Sequence, residues 1–111
     1  MELNEIIVEG VHFDVNAGAK AFVNMKCTKL LNHDCGILGL RIELIKDQHS
    51  KSHMKEYIAK GHLQFKGKTI TISAKSDKMH KSIDLLAHKL DRSLRRRSRI
   101  QKFKRHLNIF K

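Results

Sequence analysis

Hydrophobic residues in the last third of the chain recur with helical spacing from Asp77 to Arg99. At about 100° per residue, the apolar members fall on one stripe: Met79, Ile83, Leu86, Leu90 and Leu94. Basic residues fall on the opposite side: Lys81, His88, Arg92, Arg95 and Arg99. This pattern predicts one long helix with one side for a core and the other for anions.

Four other segments alternate between apolar and polar residues, which is the period of a half-buried strand. They cover residues 3–9, 37–46, 57–65 and 69–75. The residues predicted to face inward are Ile6, Val8, Leu38, Leu40, Ile42, Leu44, Tyr57, Ala59, Gly61, Leu63, Phe65, Ile70, Ile72 and Ala74. Lys66 and Gly67 predict a hairpin turn in which the glycine has a positive φ. Residues 47–53 contain no apolar side chain and predict a loop.

A first helix is predicted from Ala17 to Leu31, with Asn16 as its N-cap. Its apolar stripe is Ala19, Val23, Cys27 and Leu30. Lys26 and Lys29 lie beside that stripe. Ser76 or Asp77 is expected to cap the second helix.

The predicted order is β-α-β-β-β-α, an α+β fold with a four-stranded mixed sheet. A helical crossover makes strands one and two parallel, and the remaining strands form an antiparallel meander. Each strand has one apolar face, so both helices are expected on the same side of the sheet. We expect one domain over residues 1–99 and a basic amphipathic tail over 100–111.

The charge of the chain changes this picture. The formal net charge is +12 and the pI is about 10.1. Residues 89–111 contain ten Lys or Arg and one Asp, so this segment carries +9 of the total. Clustered cations repel one another unless phosphates or acidic lipids neutralise them, so the pattern predicts a polyanionic partner.

Other classes of protein are not supported by the sequence. The N-terminus lacks the pattern of a signal peptide, no stretch is apolar enough to span a membrane, and a cytoplasmic protein with free thiols is expected. Cys27, His33 and Cys35 are the nearest approach to a metal site, but no CxxC pair is present and we expect no metal or other cofactor. No nucleophile, phosphate-loop or acid/base motif occurs, so we expect neither an enzyme nor a small-molecule substrate.

Two separated segments carry a resemblance to a known family. In the second helix the matching residues are Ser76, Asp77, Met79, Ile83, Asp84, Lys89, Leu90, Asp91, Arg92 and Leu94. In the N-terminal half they are Gly10, His12, Asp14, Asn16, Lys26, Lys29 and Leu30. Together they resemble the ribosome hibernation promoting factor and ribosome-associated inhibitor family, also called the sigma-54 modulation protein family, in its short form.

The resemblance implies a fold related to double-stranded-RNA-binding domains and a role as a translation inhibitor in stress. Its implied partners are the small ribosomal subunit with its 16S-type rRNA and the whole 70S ribosome, where it would compete with mRNA and with A- and P-site tRNA. The RNA-binding residues that it implies are Lys20, Lys26, Lys29, Lys89, Arg92 and Arg96. With the basic face of the second helix, the predicted set also includes Lys81, His88, Arg95 and Arg99.

Three alternatives stay open at this point. His12 is either an RNA contact or a residue that closes a turn. The protein could be a general binder of structured RNA. The tail over 100–111 could instead make it an adaptor for a membrane surface or a protein partner, although no membrane partner is expected in the main interpretation.

Overall fold

Four strands and two α-helices follow one another in the predicted order. The computed structural model describes the backbone of residues 6–32, 36–47 and 56–109, and the side chains of residues 6–30, 36–47 and 56–100. The elements are β1 (Ile6–Val11), α1 (Ala17–Cys27), a short 3₁₀ helix (Thr28–Asn32), β2 (Ile37–Asp47), β3 (Glu56–Phe65), β4 (Lys68–Ser76) and α2 (Met79–Ile109). The predicted α+β class and element order are therefore confirmed.

The strands lie in the sheet in sequence order, β1-β2-β3-β4. β1 pairs with β2 in parallel, as expected for strands joined by a helical crossover. β2, β3 and β4 pair antiparallel. The β3–β4 hairpin turns at Lys66 and Gly67, and Gly67 has the predicted positive φ, 75°.

The hydrophobic core lies between one face of the sheet and the two helices. α2 contributes four leucine and isoleucine side chains that are at most 2% exposed: Ile83, Leu86, Leu90 and Leu94. Strand β3 has a glycine, Gly61, directly beneath Leu90. A Cβ at this position would lie 3.1 Å from Leu90 Cδ1 and 3.2 Å from Leu90 Cδ2. The missing side chain therefore lets α2 pack close to the sheet.

The opposite face of the sheet is largely polar, as predicted. His62 bridges two neighbouring strands there, because its Nε2 lies 2.7 Å from Glu43 Oε1 and its Nδ1 lies 2.9 Å from Thr71 Oγ1. Arg41 Nη2 is 3.4 Å from the same Glu43 oxygen. Exposed Ile7 on β1 is also on this face, as its alternation with Ile6 predicts. No helix covers this surface within the described part of the chain.

One predicted core residue is wrong. Leu38 is 44% exposed, whereas its neighbour Ile37 is 7% exposed and joins the core. The pairing of β2 with β3 shifts here, from Ile37 opposite Phe65 to Gly39 opposite Gln64. This bulge advances two residues on β2 against one on β3, and so it reverses the alternation at the start of the strand.

Several predicted boundaries also move. β1 continues through Gly10 to Val11, and Asp47 is the last residue of β2 rather than part of a loop. α1 ends at Cys27, where the last predicted turn tightens into the 3₁₀ helix. The N-cap is confirmed, because Asn16 Oδ1 accepts a hydrogen bond from the Ala19 N–H at 2.8 Å. Predictions for residues 3–5, 33–35 and 48–53 lie outside the described residues.

α2 begins at Met79 and runs without a break to Ile109. Of the two predicted capping residues, Ser76 contacts the helix start, since its Oγ accepts a hydrogen bond from the Lys78 N–H at 3.2 Å. Ser82 is fully buried in the first turn and donates to the Tyr57 carbonyl of β3 at 2.6 Å. The backbone thus passes through the boundary predicted at residue 99, and the separate role of the tail stays a prediction.

Candidate nucleic-acid interface

The solvent-facing half of α2 carries a continuous set of basic side chains. All of those predicted from the sequence are exposed: Lys81, His88, Lys89, Arg92, Arg95, Arg96 and Arg99. Their exposure follows from the helical period, because the core takes the stripe through Leu86, Leu90 and Leu94. The two flanks of this basic surface differ, however, in their surroundings.

One flank faces α1 and the 3₁₀ helix across a cleft of about 490 Å³, here called the α1-side cleft. Its lining residues are Lys26, Lys29, Leu30, Asp84, Ala87, His88, Asp91 and Arg95. Four predicted binding residues meet here: Lys26 of α1, Lys29 of the 3₁₀ helix, and His88 and Arg95 of α2.

Carboxylates neutralise part of the charge in the α1-side cleft. Lys26 Nζ lies 3.1 Å from Asp84 Oδ1, an ion pair that joins α1 to α2. Arg95 Nε lies 2.9 Å from Asp91 Oδ2 on the same helix. These cations already have a counter-charge, so their attraction for an outside anion is reduced.

The other flank faces the edge strand β4 across a groove of about 430 Å³, here called the β4-side groove. It is lined by Ile72, Lys89, Arg92, Ser93, Arg96 and Arg99. Four of these six residues are cationic, and no carboxylate is among them. Lys89 is also anchored, because its Nζ donates to the Ser73 carbonyl at 3.0 Å. The groove offers ammonium and guanidinium donors whose charge the lining does not compensate.

Three predicted residues line neither the cleft nor the groove. Lys20 is exposed on α1. Lys81 pairs with Asp77 at 3.7 Å near the start of α2, with both side chains 58% exposed. His12 follows β1 with a φ of 54°, a left-handed conformation that histidine adopts more often than most residues. His12 therefore occupies a turn, and an RNA contact by it stays a prediction.

Sequence reasoning missed two contacts. Asp84 of α2 forms an ion pair with Lys26 of α1. Arg97 was not among the candidates, yet its guanidinium carbon lies 4.1 Å from the centroid of the Phe65 ring. The available signal was spacing, because Arg97 follows Leu90 by seven residues and so falls on the core stripe of α2.

The predicted sheet aromatics lie on the helix side. Phe65 is buried and Tyr57 is half-buried against the core, where Phe13 meets the Tyr57 ring edge-on with centroids 6.4 Å apart. Recognition of RNA by stacking on a sheet requires exposed aromatic rings. Tyr57 and Phe65 do not provide such a platform, which leaves the helices as the candidate surface.

Cys27 is a buried free thiol in the core. Burial raises its pKa to about 11, so it is protonated at neutral pH and is a poor metal ligand. Within residues 6–30, 36–47 and 56–100, no three metal-ligating side chains come together. His33 and Cys35, the other members of the set considered from the sequence, lie outside those ranges. The same described segments contain no helix long and apolar enough to cross a membrane.

Comparison with known proteins assigns this arrangement to a family. The family model described as "Sigma 54 modulation protein / S30EA ribosomal protein" matches residues 6–102, which is most of the chain. The chain belongs to this family. The match covers all four strands, α1, and α2 as far as residue 102, so it includes the α1-side cleft and the β4-side groove of this sigma 54 modulation family member.

Solved structures of similar proteins support the assignment. A ribosomal subunit interface protein from Coxiella burnetii matches with a TM-score of 0.66 and 25% identity, over 83% of this chain and 94% of that one. The N-terminal domain of Protein Y from Thermus thermophilus matches with a TM-score of 0.62 and 14% identity, over 86% of this chain and 98% of that one. The second match shows a shared fold. A search of curated proteins found no match.

Proposed function

We propose that this sigma 54 modulation family protein is a ribosome-associated translation inhibitor, a hibernation factor that keeps idle ribosomes inactive under stress. In this proposal it is a cytoplasmic, non-enzymatic protein that binds the 16S-type rRNA of the small subunit, free or within the 70S ribosome. It occupies the channel of the mRNA and of the A- and P-site tRNAs. Inhibition is then steric, since a folded domain and an RNA ligand cannot fill the same channel.

The observation that supports the proposal most directly is the uncompensated charge of the β4-side groove. Four cations within the eleven residues of α2 from Lys89 to Arg99 line it without a carboxylate. At a rise of about 1.5 Å per residue, they extend over roughly 15 Å of helix. Lys and Arg at such spacing suit a run of phosphates, which gives affinity without reading sequence. The relative from Coxiella burnetii, described as a ribosomal subunit interface protein, makes ribosomal RNA the preferred source of those phosphates.

The α1-side cleft contributes a second, weaker contact in this proposal. Its lysines, Lys26 and Lys29, project from a different helix than the residues of the groove. An RNA surface that meets both helices therefore contacts cations on both flanks of α2. Because Asp84 and Asp91 hold two of the cleft cations, we assign most of the affinity to the groove.

Sedimentation with purified small ribosomal subunits tests the proposal. We expect the protein to migrate with the subunits at low salt and to be released as salt increases. Prior loading of the subunits with mRNA and tRNA should prevent binding. Protein that stays at the top of the gradient at low salt would refute the proposal.

A matched pair of double variants distinguishes direct phosphate contacts by the groove from an effect of net charge alone. Arg92→Gln with Arg96→Gln removes two groove cations, whereas Lys60→Gln with Lys75→Gln removes two cations from strands β3 and β4 on the opposite face of the sheet. Both double variants have the same net charge. We expect the first to lower the slope of log K against log salt by about 1.4–1.8, and the second to leave it unchanged. Equal slopes for the two would show that only overall charge matters.

The second candidate function is general binding of structured RNA. The groove favours it equally well, because phosphate contacts do not distinguish one RNA from another. The competition experiment decides between the two. If tRNA and mRNA bound to the subunit leave the binding of the protein unchanged, the channel proposal fails and general RNA binding is favoured.

A further inference from the structure

The side chain of Arg97 lies over an aromatic ring at one end of the sheet. Its guanidinium carbon is 4.1 Å from the centroid of Phe65, a residue of β3 that is 6% exposed. Within the described part of the chain, Arg97 Nε is a buried nitrogen without a hydrogen-bond partner. The ring therefore restrains the position of the guanidinium, and because Nε is buried, any hydrogen bonds from this group to a ligand must come from the Nη atoms.

Lys68 is next to the same ring. It is the cross-strand partner of Phe65 in the β3–β4 ladder, and cross-strand partners project to the same face of a sheet. Lys68 is thus an exposed cation on the helix-facing side of β4, at the hairpin. Phe65 has Lys68 beside it and Arg97 above it.

The pair continues the β4-side groove. Arg97 directly follows Arg96, which lines the groove, and Lys68 is on the same strand and face as Ile72, which also lines it. Neither β4 nor the hairpin contains an acidic residue. The two acids beside the groove cations in the helix, Asp84 and Asp91, line the opposite cleft. Lys68 and Arg97 therefore add two cations to the groove, and no residue of β4 or of the hairpin supplies a carboxylate opposite them.

We propose that Lys68 and Arg97 form a phosphate-binding site at the hairpin end of the β4-side groove, which extends the path of a bound RNA backbone from α2 onto the sheet. The inference rests on the proposed binding of ribosomal RNA. The Arg97 guanidinium, held over the Phe65 ring, offers a planar group of N–H donors to a phosphate, and the Lys68 ammonium acts as a mobile point charge beside it. Neither residue belongs to the helix faces expected from the sequence to bind RNA.

Binding of the full-length chain to purified small ribosomal subunits, measured over a series of KCl concentrations, tests this site. The variant Lys68→Gln is compared with Lys75→Gln, which removes the same charge from an exposed position of the same strand on the opposite face. We expect Lys68→Gln to lower the slope of log K against log salt by about 0.7–0.9, and Lys75→Gln to leave it unchanged. Equal slopes for the two variants would overturn the inference.

Arg97 is tested with two variants, because its packing on Phe65 also contributes to the fold. Arg97→Gln should lower the salt slope by about the same amount as Lys68→Gln. Arg97→Lys keeps the charge but loses the planar stack, so we expect an unchanged slope and weaker binding at fixed salt. An Arg97→Gln protein that unfolds at a lower temperature but binds with the wild-type slope would show that the contact is only structural.

The proposed function and this inference fail in different ways. If the wild-type chain does not bind small subunits, or if Arg92→Gln with Arg96→Gln binds as the wild type does, the helix-based proposal itself is wrong. If those controls behave as expected and Lys68→Gln matches Lys75→Gln, only the hairpin site is wrong.

Discussion

The contact between Gly61 and Leu90 sets how closely α2 approaches the sheet, and it can be perturbed from both sides. A methyl group at Gly61 would lie 3.1 and 3.2 Å from the two terminal carbons of Leu90 and 3.5 Å from Ile42 Cδ1. The first two distances are shorter than ordinary van der Waals contact, so Leu90 must move by a few tenths of an ångström. Leu90 is fully buried and has little free space for this.

The expected energies follow from this geometry. In Gly61→Ala, overpacking costs about 1–3 kcal/mol, and the lower entropy of the unfolded chain returns about 0.4–1 kcal/mol. We therefore expect a net loss of about 1 kcal/mol. Leu90→Ala removes a buried side chain and should cost about 2–5 kcal/mol. In the double variant, the new methyl enters the space that Leu90 leaves, so the loss should be smaller than the sum by about 1–2 kcal/mol.

Urea unfolding followed by far-ultraviolet circular dichroism measures these free energies, since the chain has no tryptophan and one tyrosine. The control is Gly61→Ala combined with Leu94→Ala, another fully buried leucine of α2 whose atoms are not the nearest neighbours of the new methyl. We expect the control pair to be additive within about 0.5 kcal/mol. If the free-energy losses of Gly61→Ala and Leu90→Ala add as well as those of the control pair, the close approach of Leu90 to Gly61 is refuted.

Three further predictions concern single residues. Ser82→Ala removes the hydroxyl that donates to the Tyr57 carbonyl, so it should reduce the free energy of unfolding by about 1–2 kcal/mol in urea titrations. The control Ser73→Ala, at an exposed position, should change this free energy by less than about 0.5 kcal/mol. Because burial raises the pKa of Cys27 from 9.0 to about 11, the folded state keeps the thiol proton above pH 9 while the unfolded state loses it. The free energy of unfolding should therefore fall as the pH rises from 9 to 11, by about 2 kcal/mol more than in Cys27→Ala. Parallel curves for the two proteins would contradict this. Asp84→Asn removes the counter-charge of Lys26, so we expect tighter binding to small ribosomal subunits at low salt. The free energy of unfolding should change by less than about 0.5 kcal/mol. Weaker binding would contradict the proposal that the α1-side cleft contacts RNA.

The two flanks of α2 differ in how far carboxylates balance their cations. The cleft cations Lys26 and Arg95 stabilise or orient the protein itself through their carboxylate partners. The groove cations have no carboxylate among the lining residues. Substitutions in the groove should therefore change RNA binding more than stability.

Most of the fold could be predicted from the sequence, because burial imposes a period on each element. Alternation in β3 and β4 identified the apolar residues from Tyr57 to Ala74 that face the helices, and the helical stripe identified the core side of α2. Asn16 was identified as a cap because its side chain supplies a local acceptor. The concentration of cations near the C-terminus predicted a polyanionic partner without any knowledge of shape.

Long-range contacts decided the rest. Ile37 is buried and Leu38 is exposed because β2 bulges against β3. The local sequence of β2 does not indicate this bulge, since it depends on the pairing with β3. Asp84 finds Lys26 rather than a residue of its own helix because α1 packs beside α2. Arg97 contacts the Phe65 ring only because the tertiary fold places the end of β3 beneath α2. Local periodicity thus determined which side of each element is buried. The packing of distant elements determined which charges remain available for a partner, because ion pairs form between atoms that meet only in the folded chain.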